Sequence, residues 1–92
     1  RMHQAVAEDI FDFAVNAGVK VSAKLAQAVV GVTPDGVVGP KTIDALVAAD
    51  PALFRALFAL AKIARYRDIV RRDRSQGRFL LGWINRTLEG LA

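Results

Sequence analysis

The chain has 92 residues, enough for one small domain and too few for a large core. It holds no cysteine and a single histidine, His3, which excludes disulfides, thiolate metal sites and a histidine cluster; no metal or organic cofactor is expected. A net charge of +4 and a pI of about 10.1 favour an anionic partner (nucleic acid, acidic lipid or an anionic cell wall) without choosing among them.

No apolar run reaches the roughly 18 residues of a membrane span, and no signal peptide is visible at the start. The chain opens in mid-pattern, Arg1-Met2-His3-Gln4-Ala5, as a fragment of a longer protein would.

Periodicity and punctuation predict five helices. The first covers about 3–17, with Val6, Ile10, Phe13, Ala14 and Ala17 on its buried face and Gly18 as its stop. The second covers about 22–30, with Ser22 as N-cap and Gly31 at its end. A compact loop follows, dense in turn residues at Pro34, Asp35 and Gly36. Pro40 suits the first position of a third helix, about 40–49. Asp50-Pro51 reads as N-cap and N1 of the longest helix, about 51–74, closed by Ser75-Gln76-Gly77. Residues 53–64 are apolar nearly all round, the pattern of a central helix covered on several sides. The last helix, about 79–91, places Leu80, Ile84, Leu88 and Leu91 on one stripe, with Trp83 and Thr87 beside it. No strand alternation is sustained. The expected fold is all-α, a small orthogonal bundle of about five helices.

The loop carries the most information. Asp35 can accept hydrogen bonds from the N–H groups of its own turn. Gly36 and Gly39 permit positive φ and close backbone approach. Pro40 and Thr42 open a helix whose first N–H groups can receive a carboxylate or carbonyl oxygen. A structural connector between two helices would read the same way at each of these positions. The whole string is more specific. Ala26-Gln27 and Val30-Gly31-Val32, followed by Asp35-Gly36-Val37-Val38-Gly39-Pro40-Lys41-Thr42, resemble the helix–loop–helix of peptidoglycan-binding domains, with Ala26 where leucine is usual.

The flanks, Phe11-Asp12-Phe13-Ala14-Val15-Asn16-Ala17-Gly18 and Phe79-Leu80-Leu81-Gly82-Trp83-Ile84-Asn85-Arg86, make the stretch 10–86 similar to the C-terminal portion of glycoside hydrolase family 108. That family comprises N-acetylmuramidases, including secretion-activating proteins and phage endolysins. The resemblance implies a lysozyme-like C-terminal portion of a larger muramidase, located at the cell wall, in the periplasm or outside the cell. Residues 1–18 would dock on the missing N-terminal catalytic part, and 19–92 would bind peptidoglycan. The family's catalytic glutamate lies in an E-G-G-x motif that this chain lacks. Glu8 and Glu89 sit in other contexts, and Glu8 or Asp9 on a polar helix face makes a poor proton donor. No catalytic residue is assigned, and the chain alone is expected to be inactive.

On the first helix, Asp9, Asp12 and Asn16 form a polar strip, while Phe11 and Val15 point away from the core and suit docking or self-association. The F-A-V-N-A-G stretch resembles a helix end beside the substrate cleft of lysozyme-like folds, which would make Asn16 a sugar-facing amide; a carbonyl-capping asparagine is the alternative. Arg65, Arg67, Arg71, Arg72, Arg74 and Arg78 cluster near the end of the long helix, where cations complement the dipole. Arg67, Arg71, Arg74 and Arg78 would share a face if the helix continued that far. They are a solvated helix end or a contact for anionic wall polymer. Trp83 reads as core, and Tyr66 as core or sugar platform.

The expected substrate-binding set is therefore Asn16, Asp35, Gly36, Gly39, Thr42 and Tyr66. The leading expectation is a peptidoglycan-binding, cleft-completing module. The alternatives are a basic helical nucleic-acid-binding module, for which no recognition-helix pattern is present, and a protein-interaction module using Phe11 and Val15.

Overall fold

The computed structural model describes residues 3–89, and among them the fold is all-α. Five helices, α1 (Gln4–Ala17), α2 (Val19–Val30), α3 (Pro40–Ala48), α4 (Pro51–Arg72) and α5 (Gly77–Glu89), are joined by loops and one 3₁₀ turn, Arg74–Gln76. The expected position of Leu91 lies outside the described residues. No helix of the described chain is long and apolar enough to cross a membrane. No group of three or more potential metal ligands occurs among the described residues.

The chain divides at Phe58/Ala59 into two compact units. In the first, α1 and α2 meet at Gly18, whose φ of 103° lets one residue end α1 and begin α2. Its N–H donates to Ala14 O, and its carbonyl accepts from Ser22 N–H. Ser22 is therefore not the N-cap of α2. It lies one turn inside the helix, buried, and its hydroxyl donates to the Ile10 carbonyl at 2.6 Å. The helix starts earlier because the glycine supplies the turn that an N-cap serine would otherwise provide.

The core of this unit is built from Val6 and Phe13 of α1, Ala23 and Ala26 of α2, Leu46 of α3, and Phe54 and Phe58 of α4. Phe58 lies perpendicular to Phe13 at 5.8 Å between centroids and stacks with Phe54 at 5.3 Å. These are the offset geometries that ring quadrupoles favour. At the rim, the Arg55 guanidinium pairs with Asp9, Nε to Oδ2 at 2.8 Å, tying α4 to α1. This pair also raises Arg55 above its ordinary range, first through the hydrogen bond and then through the charge of Asp9. Asp50 caps α4 as expected, accepting Leu53 N–H at 2.9 Å.

Residues 53–64 are not covered on several sides. Leu53, Leu57 and Leu60 are exposed, while Phe54, Phe58 and Ala59 are buried. An apolar circumference records what a helix could bury, and a chain this short lacks neighbours to cover all of it.

In the second unit α4 stops at Arg72. Asp73 accepts Ser75 N–H at 3.1 Å and the Ser75 hydroxyl at 2.6 Å, starting the 3₁₀ turn. These bonds hold its carboxyl below the usual range. The chain then enters α5 directly at Gly77, with φ −57°. Arg74 lies in the turn and Arg78 in α5, so the four arginines expected on one face do not share a helix. Trp83 packs against Tyr66 (5.0 Å) and Phe79 (5.8 Å). Thr87 is buried and donates to the Trp83 carbonyl at 2.9 Å.

Candidate peptidoglycan-binding site

The loop between α2 and α3 is organised by Gln27, which is only 1% exposed. Its Nε2 donates to Asp35 Oδ1 at 3.1 Å, to the Val37 carbonyl at 3.0 Å and to Thr42 Oγ1 at 3.0 Å. Its Oε1 accepts the Gly36 N–H at 2.8 Å. An amide nitrogen has two hydrogens, so three acceptors at this range share them. One side chain thus ties the turn, the segment after it and the first turn of α3 to α2. Asp35 Oδ1 also accepts Val37 N–H at 2.9 Å. The Val37 N–H and then the Gln27 amide hold the Asp35 carboxyl below its ordinary range.

Gly36 has φ 80°, and a Cβ there would stand 2.7 Å from Lys20 Cγ. The position requires glycine both for its backbone and for the lysine stem lying across it. Gly39 does not adopt positive φ. At φ −113° and ψ −171° it is extended and serves as the N-cap of α3, accepting Ile43 N–H at 3.0 Å. Pro40 follows at N1 as expected.

Outside this clamp lies an open groove of about 580 Å³, lined by Thr33, Asp35, Val37, Gly39, Lys41 and Thr42 among others. Among the described residues, the hydrogen bonds to the Asp35 carboxylate from Gln27 and Val37 both fall on Oδ1, and the Lys41 ammonium has no acidic partner. The groove therefore offers an anion, a cation and backbone polar groups to a polar ligand. A second groove of about 310 Å³, almost wholly apolar, lies against α1, α2 and α3, with Phe11, Val19 and Val38 on its walls. Thr42 belongs to both.

The structure thus gathers Asp35, Gly36, Gly39 and Thr42 at one place. Asn16 does not line the loop groove. It is exposed on α1, and its Nδ2 donates to the Asp12 carbonyl at 3.3 Å. Tyr66 belongs to the second unit, against Trp83. The residue missing from the expected set is Gln27. Its only signal was its place in the motif string, because a glutamine on an amphipathic helix is ordinarily read as surface.

The family described as "Predicted Peptidoglycan domain" matches residues 20–88, a span that contains Gln27, the loop and α3 through α5. The chain belongs to this family. It is a peptidoglycan-binding, cell-wall-associated, all-α domain. Among solved structures, that of Brucella abortus SagA is 25% identical to it, with a TM-score of 0.73 over 98% of this chain and 53% of the SagA chain. The chain spans about half the length of that neighbour. No curated protein matches it.

Proposed function

We propose that the chain is the wall-binding module of an N-acetylmuramidase of the glycoside hydrolase family 108 type, and that peptidoglycan lies in the groove beside the Asp35 loop. The observation that carries this reading is the clamp. Gln27, Asp35 and Thr42 are spent on one another, so the loop is rigid before any ligand arrives, and the groove keeps Asp35 Oδ2 and Lys41 available. A preformed site avoids an ordering cost on binding. In the parent enzyme the reaction would be hydrolysis of the β-1,4 bond between N-acetylmuramic acid and N-acetylglucosamine. The catalytic acid would come from outside this chain, with Asn16 offering its amide to the sugar. Glu8 and Asp9 of α1 support that assignment, because Glu8 accepts from Gln4 at 2.9 Å and Asp9 is held by Arg55.

Cosedimentation of the chain with purified sacculi tests the binding claim. Asp35→Asn keeps an oxygen for the Val37 N–H and removes the charge, and Lys41→Glu reverses the other. Each is expected to weaken binding about tenfold, Lys41→Glu at an unchanged melting temperature and Asp35→Asn with only the small loss of stability that its lowered carboxyl implies. Wild-type binding by both variants removes peptidoglycan from this groove. The muramidase parent is tested separately by the upstream reading frame, where an E-G-G-x glutamate is expected.

A further inference from the structure

The positive charge of the chain sits in one unit. From Ala59 onward, Lys62 and seven arginines stand against Asp68, Asp73 and Glu89, a net charge of +5. The residues up to Phe58 carry −1, and the two make up the +4 of the whole. The aspartates do little to neutralise their surroundings. Asp68 pairs with the adjacent Arg67 at 3.2 Å, and Asp73 is occupied by Ser75. Arg71 and Arg74 are exposed, and neither side chain makes a hydrogen bond or ion pair to a described residue.

After these arginines in the chain, α5 shows more apolar surface than its unit covers. Thr87 is buried, and Leu80, Trp83 and Ile84 are half-buried, which is the inward face. Leu81 and Leu88 nevertheless stand 69% and 52% exposed. With Arg78 and Asn85 they follow one another at i, i+3, i+7 and i+10, a single outward strip. The Arg78 guanidinium lies over the Phe79 ring, 4.8 Å from its centroid. A soluble polyanion would use the arginines and leave the leucines in water. A phospholipid surface uses both, with leucines entering the headgroup–acyl boundary while arginine heads stay at the phosphates.

We propose that α5 and the arginines preceding it dock on an anionic phospholipid surface, with Leu81 and Leu88 inserted. This surface belongs to the second unit and stands independently of the peptidoglycan groove. Cosedimentation of the full chain with vesicles of phosphatidylcholine, alone or with about one quarter phosphatidylglycerol, tests it. Partition is expected to be at least about tenfold stronger onto the anionic vesicles, and to fall about fivefold for each of Arg71→Ser and Arg74→Ser. Leu81→Ser with Leu88→Ser is expected to lower it about tenfold, with helix content, melting temperature and sacculus binding unchanged. Equal partition onto both vesicle types overturns the proposal. So does anionic binding that survives the leucine replacements and is matched by double-stranded DNA, which marks a general polyanion patch.

Discussion

Gln27 Nε2 and Asp35 Oδ1 lie 3.1 Å apart, eight residues distant in the chain, and the bond joins a buried amide to a solvent-facing turn. Because Gln27 also holds Val37, Thr42 and Gly36, the loop's conformation is decided from beneath, by a helix.

Replacing Gln27 therefore strands several groups at once. Gln27→Leu keeps most of the volume and leaves the Gly36 N–H and the Thr42 hydroxyl without this partner. A loss of about 2–4 kcal/mol in urea unfolding is expected. Gln27→Glu puts a carboxylate against Asp35 and should be destabilising too, increasingly so as pH rises above about 4. A Gln27→Leu protein as stable as wild type would show that the clamp contributes nothing net.

The pH dependence follows from Asp35. Its carboxyl is held low in the folded state by the Val37 N–H and the Gln27 amide. The folded state thus binds the proton less readily than the unfolded one. The stability this contributes is present above the unfolded carboxylate range, about pH 4, and is lost as pH falls through the lower folded value. Asp73, also lowered, acts in the same direction. Stability measured between about pH 5 and pH 2 should fall less steeply in Asp35→Asn than in wild type. Parallel curves would contradict the depressed carboxyl.

Gly36 carries two separable constraints, a φ of 80° and the Lys20 stem at 2.7 Å from a would-be Cβ. Gly36→Ala should cost about 1–3 kcal/mol, and Gly36→Val more, since a β-branched residue fits positive φ worst. Combining Gly36→Ala with Lys20→Ala should recover the steric part and leave the backbone part. Strict additivity would mean that Lys20 simply swings aside.

The Asp9–Arg55 pair is partly exposed at both ends. Its contribution is expected to be modest, about 1 kcal/mol or less on Asp9→Asn, and to shrink further in about 1 M salt. A loss several times larger would make the pair a structural anchor of α1 rather than a rim contact.

Helix identities were legible in the sequence because they follow from local causes. Asp50-Pro51 opens α4, Pro40 opens α3, and the apolar spacing of Val6 and Phe13 fixes the inner face of α1. Phe11 and Val15 were legible as outward-facing for the same reason, and stand 68% and 70% exposed. Ser22 and Gly39 were misread because a serine before a helical run and a glycine in a loop each have several uses. Which use prevails depends on Ile10 across the helix pair and on Ile43 one turn into α3.

The sequence by itself determined that the chain is helical, where four of its five helices end to within about two residues, and that Asp35, Gly36 and Thr42 belong to one motif. Only the tertiary structure decided that Gln27 is the centre of that motif, and that α4 leaves its leucines in water. Propensity, capping and periodicity act over a few residues and are written along the chain. Burial of a polar amide and exposure of an apolar face depend on which distant segments arrive to cover them, and local sequence does not encode that.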